Sequence, residues 1–560
     1  MQFFKDLPGR HLILLILIFF AGSFIRLSHL GQIPIGLTND EANVGYDAYS
    51  ILKTGKDQWG HNQPSTALVG FGDYRPPVYT YMVIPSVALF GLNEFAVRLP
   101  AALAGSFTVL LVYFLAMQLW RKPAIGIVAM GFVAFNPWHI GMSRAGIEST
   151  FGVFLITTAL TLFLTARTKQ YFLFPAIFLF AVTVYTYPSY IILSPLLVLL
   201  LFWFYRREFS LRKKSGVFAL IFFFVLLLPL VTGGNATARA RSRQVNLTSD
   251  IGIVNIVNDK RGECLTRFNP RICQIFENKF VAYVSAFTFN YLNHFSPDLL
   301  MKNGTPTQYS VLPPRGLLLT TEYLLFIAGV ILLLRRRQRE DWFLLLWIFL
   351  SPLPDSLTGA GHYSRYLPII PAIQLVSAFC IYEIWTLVKK RRMLVFGPIF
   401  AIFCFEVVAF FLVYTTYFPR FFATSSHYGY KQLIDYLVTN HDKFDKLVIS
   451  SAVNDTKQYV YYLFYTKYDP ALFQKSEDIE KVQENGGWTR VTRIGKIYFL
   501  PSISLTSKDY KIPVPHILLA GAKSEFPKTT KITYTIKDPK NNPIFILVDT
   551  AKNPWLLPKK

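Results

Sequence analysis

Residues 11–50 read HLILLILIFFAGSFIRLSHLGQIPIGLTNDEANVGYDAYS. From Leu12 to Leu30 the run is apolar and long enough to cross a bilayer, which takes about 20 residues. Lys5 and Arg10 precede it and no small-residue cleavage site follows, so it reads as an anchor rather than a signal peptide. Two adjacent carboxylates, Asp40 and Glu41, then stand a short loop beyond its end. Such a pair adds little to a core. It can deprotonate a hydroxyl or hold a divalent cation. A purely structural role also fits, because Thr38 or Asn39 can cap a helix whose dipole the acids favour.

The rest of the chain extends this reading. Of 560 residues 52% are hydrophobic and only 16% charged, against about 25% charged in an average soluble domain. Phe218–Leu230 and Leu317–Leu334 are further long apolar runs. The chain reads as a polytopic α-helical membrane protein. Its net charge of +24 does not point to nucleic acid, because the basic residues fall in separate clusters between apolar segments. Of four cysteines, Cys380 and Cys404 fall in apolar segments and read as filler, whereas Cys264 and Cys273 share one loop and can pair if it is exported.

The basic clusters set a topology. They are Lys5/Arg10, Arg121-Lys122, Arg167/Lys169, Arg206 to Lys214, Arg335 to Arg339 and Lys389 to Arg392. Placing all six inside requires two spans between neighbours. Eleven spans result, near 11–30, 98–119, 123–139, 150–166, 171–187, 189–205, 216–232, 316–334, 342–357, 363–387 and 393–415. The N-terminus is then inside and the C-terminus outside. Pro76 to Leu92 would break the charge pattern if it crossed, so it reads as a helix in the outer interface, anchored by Tyr79, Tyr81 and Phe90. A membrane domain over 1–418 carries exterior loops at 31–97 and 233–315, and an exported soluble α/β domain follows over 419–560. In that domain helices are expected at Tyr428–Asn440 and Thr456–Thr466. Strands are expected at Lys446–Ala452, Ile494–Leu500, Lys531–Lys537 and Ile544–Val548.

This topology gathers ionisable residues at one face. Arg75 precedes Pro76-Pro77, Arg98 opens a span, Arg144 and Glu148 share a short loop, and Arg365 lies in Gly361-His362-Tyr363-Ser364-Arg365-Tyr366. Arginine matches phosphate oxygens with a two-pronged fork. With Asp40 and Glu41 this suggests transfer from a lipid phosphate. Arginines would stabilise the leaving phosphate, a carboxylate would deprotonate the incoming hydroxyl, and a single displacement would invert the sugar carbon. A lipid-linked sugar transporter or flippase is the alternative, but it calls for ionisable groups near the bilayer midplane and often inverted repeats.

In these residues the chain resembles the GT-C membrane glycosyltransferases of the protein O-mannosyltransferase and aminoarabinose-transferase type. Asp40-Glu41, Arg75-Pro76-Pro77-Val78-Tyr79, Arg98-Leu99-Pro100, Asn136-Pro137 through Ser143-Arg144, and Gly361 through Pro368 carry the resemblance. It implies a polyprenyl-phosphate-linked sugar as donor in a cytoplasmic-membrane protein whose site and C-terminal domain face outward. It also implies Asp40 as base with Glu41 beside it. Arg75, Arg98, Arg144 and Arg365 would be on the donor phosphate, and Glu148, His362 and Tyr363 in contact with donor or acceptor. Where aminoarabinose transferases carry a metal-binding glutamate this chain has Tyr74, so no zinc is expected there, and a divalent cation near Asp40/Glu41 is the remaining metal expectation.

Overall fold

A computed structural model describes residues 9–72, 74–209, 215–232, 248, 251–304, 315–358, 362–453, 457–483, 489–503 and 516–556. A helix coincides with each of the eleven expected spans. α1 (Gly9–Leu27) leads into the first loop, which holds α2 (Asn39–Thr54) and α3 (Val78–Phe90). α4 (Glu94–Trp120) follows, then α5 (Pro123–Phe135) and α6 (Pro137–Arg144), bent by 57° at Asn136-Pro137. Next come α7 (Glu148–Ala166), α8 (Leu173–Val184), α9 (Tyr190–Phe204) and α10 (Ser215–Thr232). The second loop holds α11 (Ile251–Leu265), α12 (Pro270–Phe276) and α13 (Lys279–Asn293). α14 (Thr320–Arg336), α15 (Arg339–Leu350), α16 (Leu353–Ser356), α17 (Ile370–Val388) and α18 (Arg392–Thr416) complete the helical part. By length and composition four of these stretches can cross a bilayer, or five with the bent pair as one span. The other helices at the expected spans include shorter ones, with 12 residues each in α8 and α15.

The helices pack through one continuous apolar core, with α4 central against α1, α5 and α7 and with α17 against α5 and α14. α3 has 13 residues, about 20 Å of helix, well short of a 30 Å hydrocarbon core. Tyr79 and Tyr81, expected as interface anchors, instead bond within the protein. The Tyr79 hydroxyl donates to Val97 O at 2.9 Å and that of Tyr81 to Gln63 Oε1 at 2.8 Å. Cys264 and Cys273 form a disulfide, while Cys380 and Cys404 are free.

Beyond α18, helices α19 (Tyr430–Thr439), α20 (Tyr459–Thr466) and α21 (Pro470–Lys475) pack on a seven-stranded sheet. In chain order its strands are β1 (Lys446–Ser450), β2 (Ile479–Gln483), β3 (Thr489–Ile494), β4 (Ile497–Leu500), β5 (Ile517–Gly521), β6 (Tyr534–Lys537) and β7 (Pro543–Asp549), and in space they run β2-β3-β4-β1-β5-β7-β6. β1 is central and parallel to both neighbours. Its side chains alternate, Leu447 and Ile449 into one core and Val448 into another. The run expected as one strand, Ile494–Leu500, is the end of one strand and the whole of the next, because Gly495 turns the chain at φ 57°.

The core on the Leu447 side is shared. Ala42 and Tyr46 of α2, Tyr79 of α3 and Val97 of α4 pack with Leu433, Tyr461 and Phe545 of the C-terminal part. Polar contacts follow the same seam. Tyr46 Oη donates to Tyr468 O at 3.1 Å, Gln474 Nε2 to Asp57 O at 2.9 Å, and Thr489 N–H to Phe71 O at 2.8 Å. α2 can approach this closely because residue 45 is glycine: a Cβ there would stand 2.6 Å from both Phe464 and Val97. Gly45→Leu is therefore expected to overpack the seam and cost about 1–3 kcal/mol. A lowered unfolding midpoint of purified protein in detergent would show it.

Candidate functional site

The two adjacent acids have different surroundings. Thr38 caps α2 in a capping box, its hydroxyl accepting from Glu41 N while the Glu41 carboxylate accepts from Thr38 N. This turns Glu41 inward and leaves Asp40 exposed. Glu41 Oε1 accepts from Arg98 Nε at 2.7 Å and Gly146 N at 3.0 Å. Its Oε2 accepts from Thr38 N, Thr38 Oγ1 and Arg98 Nη2 at 3.0, 3.1 and 3.3 Å. Burial by itself would raise the Glu41 pKa. The Arg98 charge and these hydrogen bonds outweigh it and hold the carboxyl below its ordinary value.

Arg98 is fully engaged. Besides Glu41, its Nη1 donates to Leu30 O and Pro34 O at 3.2 and 2.9 Å and its Nη2 to Gly36 O at 2.6 Å, so all five guanidinium hydrogens have acceptors. Arg144 ties down the end of α1, donating to the carbonyls of Ile25, Ser28 and Ile33 with its guanidinium over the Tyr414 ring. Both arginines were expected on a donor phosphate. In the structure Glu41 and three carbonyls fill the Arg98 fork, whereas Arg144 holds three carbonyls and its buried Nε has no partner among the described residues.

Arg75 and Arg365 differ. One nitrogen of Arg75, Nη2, pairs with buried Asp47 and with Asn43 O, whereas Nε has no partner. Burial pushes the Asp47 carboxyl up to about 6, with Arg75 working against that rise. Arg365 Nη1 donates to Thr358 Oγ1 at 2.5 Å and Asp355 Oδ1 at 3.4 Å, with the side chain 24% exposed. Each guanidinium is thus held from one side by a buried aspartate.

Asp40 has no hydrogen-bond or ion-pair partner for its carboxylate among the described residues. It lies within electrostatic reach of Glu148 and His362, Glu148 within reach of Arg75, and His362 within reach of Arg365. His362 Nδ1 bonds Ser364 Oγ at 2.8 Å, and Ser364 Oγ bonds the Tyr187 hydroxyl at 2.8 Å. Burial, and secondarily Arg365, lower the His362 pKa and favour the neutral ring. Tyr363 is buried and stacks on His362 with centroids 5.2 Å apart. Among the described residues the Asp40 carboxylate is thus unpartnered, and Glu148 and His362 connect it electrostatically to Arg75 and Arg365. Gly361 lies outside the described residues.

The family described as dolichyl-phosphate-mannose-protein mannosyltransferase matches residues 74–232. That stretch holds Arg75, Glu148 and Tyr187. An undecaprenyl phosphate-α-4-amino-4-deoxy-L-arabinose arabinosyl transferase 1 of Pseudomonas fluorescens is 31% identical over 135 residues, 23% of this chain and 24% of that protein. The corresponding transferase of Pseudomonas aeruginosa is 32% identical over 115 residues, 20% of this chain and 21% of that protein. The chain thus matches a quarter or less of the length of these curated relatives. Crystal structures of ArnT from Cupriavidus metallidurans superpose over 98% of this chain and 99% of ArnT. The TM-score is 0.54 for the apo form at 11% identity, and 0.52 for the form bound to undecaprenyl phosphate at 12% identity. Over residues 74–232 the chain is similar to the mannosyltransferase family, and over nearly its whole length it shares the fold of ArnT.

The acidic pair does not fit a chelated cation. Both Glu41 oxygens already accept hydrogen bonds, and among the described residues no group of three or more His, Cys, Asp or Glu is placed to hold a metal. Sequence reasoning passed over Asp355, Ser364 and Tyr187. Asp355 Oδ2 accepts from His362 N at 2.8 Å and lies 2.8 Å from His294 Nε2. His294 Nδ1 in turn lies 2.7 Å from Asn290 O. The available signal was an acid inside an apolar segment, which is a functional pointer by default.

Arg98→Leu would strand the Glu41 charge in a buried site and is expected to cost about 3–5 kcal/mol. Arg98→Lys recovers little, because an ammonium cannot reproduce the fork. Loss of folded protein on size exclusion after detergent extraction is the readout. Glu41 also predicts a pH effect. Its folded pKa is depressed, so its contribution is present above the ordinary value of 4.5 and is lost as the pH falls through the folded pKa. Unfolding midpoints of the wild type should drop more steeply below pH 4.5 than those of Glu41→Gln.

Proposed function

We propose that this protein is an inverting glycosyltransferase that moves a sugar from a polyprenyl-phosphate donor to an acceptor hydroxyl. The observation that carries the reading is the Asp40 carboxylate, unpartnered among the described residues and connected electrostatically through Glu148 and His362 to Arg75 and Arg365, on a fold shared with ArnT. Its relatives' names support it: two are undecaprenyl phosphate-dependent arabinosyl transferases, and an ArnT structure holds undecaprenyl phosphate.

In this mechanism Asp40 removes the proton from the acceptor hydroxyl as its oxygen attacks the anomeric carbon. The bond from that carbon to the phosphate oxygen breaks, and its electron pair leaves on the phosphate. Arg75 and Arg365 meet the developing negative charge with donors already aimed and desolvated. Their aspartates, Asp47 and Asp355, fix each fork, so little reorganisation accompanies the step. Glu148, His362 and Tyr363 border the space between base and phosphate. Glu41 does not touch the acceptor. It holds the first turn of α2 so that Asp40 faces out.

We place the site and the C-terminal domain on the exterior face of a cytoplasmic membrane, with eleven spans, the N-terminus inside and a domain boundary near residue 418. The six basic clusters support the orientation. The Cys264–Cys273 disulfide supports an oxidising exterior for the loop that carries it. A transporter would use charge near mid-bilayer, whereas Asp40, Arg75 and Arg365 stand at helix ends and loops.

The test is release of polyprenyl phosphate from a panel of polyprenyl-phosphate sugars by purified protein with an added acceptor. Asp40→Asn should lower kcat by about 10²- to 10⁴-fold. Because the side chain is exposed and unpartnered, the unfolding midpoint should barely move. Full turnover by that variant would remove Asp40 as base. Arg365→Ala and Arg75→Ala should weaken donor use, whereas Arg144→Ala should act through loss of folded protein.

A further inference from the structure

The second loop presents an apolar surface that the mechanism does not use. α11, α12 and α13 pack mainly on one another, and the end of α13 meets α16. The Cys264–Cys273 disulfide ties α11 to α12, so the three helices form one plate. On it Phe268, Ile275, Phe276, Phe280, Phe289 and Leu292 are 61–75% exposed. Along α13, Phe280, Val284 and Leu292 recur at multiples of four and share one helix face. Water-facing surfaces rarely carry an apolar patch of this extent.

Two observations name the occupant. The first is continuity with the bilayer-facing helices. Tyr291 Oη donates to Phe349 O of α15 at 2.8 Å, Phe295 and Phe349 have ring centroids 5.7 Å apart, and Phe349 is itself exposed. The apolar face of α13 therefore runs on into the outer side of α15. The second is charge. Between 251 and 293 there are five basic residues (Lys260, Arg261, Arg267, Arg271, Lys279) and three acidic ones (Asp259, Glu263, Glu277). Aromatic and aliphatic side chains beside an excess of cations suit the boundary between head groups and acyl chains.

We propose that this disulfide-tied plate lies on the bilayer as an interfacial anchor, its apolar side chains in the head group–acyl boundary and Arg267, Arg271 and Lys279 toward anionic head groups. The proposal rests on the membrane reading of α14 and α15 given above. The plate then fixes the height of the second loop, and with it of α16 and Asp355, relative to the lipid surface.

Photocrosslinking of the full chain in lipid nanodiscs tests this. p-Benzoylphenylalanine at Phe280 replaces one exposed aromatic by another. The same group at Leu324, 60% exposed on α14, serves as a span control. Lipid adducts by mass spectrometry at both positions are the expected result. Adducts at Leu324 but none at Phe280 would overturn the anchor and leave the spans standing, whereas adducts at neither would overturn the membrane reading too. A protein–protein crosslink at Phe280, running at twice the mass on a denaturing gel, would make the face an interface between copies and also overturn the anchor. At low salt the Phe280 adduct yield should be about twofold or more higher with phosphatidylglycerol than with phosphatidylcholine alone. Equal yields would overturn the head-group preference.

Discussion

One buried ion pair organises the loops around the acidic pair. Arg98, on the first turns of a central helix, reaches Glu41 and three carbonyls of the preceding loop. Burying two charges carries a desolvation penalty that is offset only when geometry is good and the remaining donors are satisfied. Here the five Arg98 hydrogens all find acceptors, and Glu41 accepts from three residues. The pair fixes the loop between α1 and α2, the start of α2, and Gly146 in the loop before α7. Three segments distant in sequence, the start of α2, the start of α4 and the loop before α7, thus meet at one carboxylate.

The pair also divides labour between neighbouring acids. A capping box needs its glutamate turned back onto the cap, so the residue before it points elsewhere. Asp40 is that residue, and it keeps its exposure because Glu41 gives it up. A similar logic separates the arginines. Arg98 and Arg144 hold backbone carbonyls and define where the loops run. Arg75 and Arg365 are each held by a buried aspartate, with side chains 11% and 24% exposed. Such groups are oriented before any ligand arrives, which is the arrangement that stabilises developing charge most effectively.

Much of the helical scaffold was legible because bilayer-length apolar runs and basic clusters are strong, additive signals. The Cys264–Cys273 pairing and the helices expected at Tyr428–Asn440 and Thr456–Thr466, found at Tyr430–Thr439 and Tyr459–Thr466, were legible for similar local reasons. What could not be read was partnership. At the sequence level Arg75, Arg98, Arg144 and Arg365 are four equivalent cations at one membrane edge. Which of them meets a carbonyl, a carboxylate or open space depends on how loops cross, and Arg98 finds Glu41 57 positions away. Asp355 was hidden because an apolar segment was read as a span and its acid went unweighed. β5 was missed because Ile517–Gly521 is buried throughout, and a strand buried on both faces shows no alternation.

The core shared by α2 and the last third of the chain has a consequence for biosynthesis. Tyr46 and Tyr468 are 422 positions apart, so α2 leaves the ribosome long before the partners that cover it. Contacts of such sequence separation form late, since the connecting chain must be ordered before they repay the closure entropy. Until then Ala42, Tyr46 and Tyr79 lack much of their apolar cover. A chain that terminates before residue 430 would carry Asp40, Arg75 and Arg365 in full but leave the helix that presents the acid half-clad. The cover of α2 therefore waits for the segment from residue 430 onward.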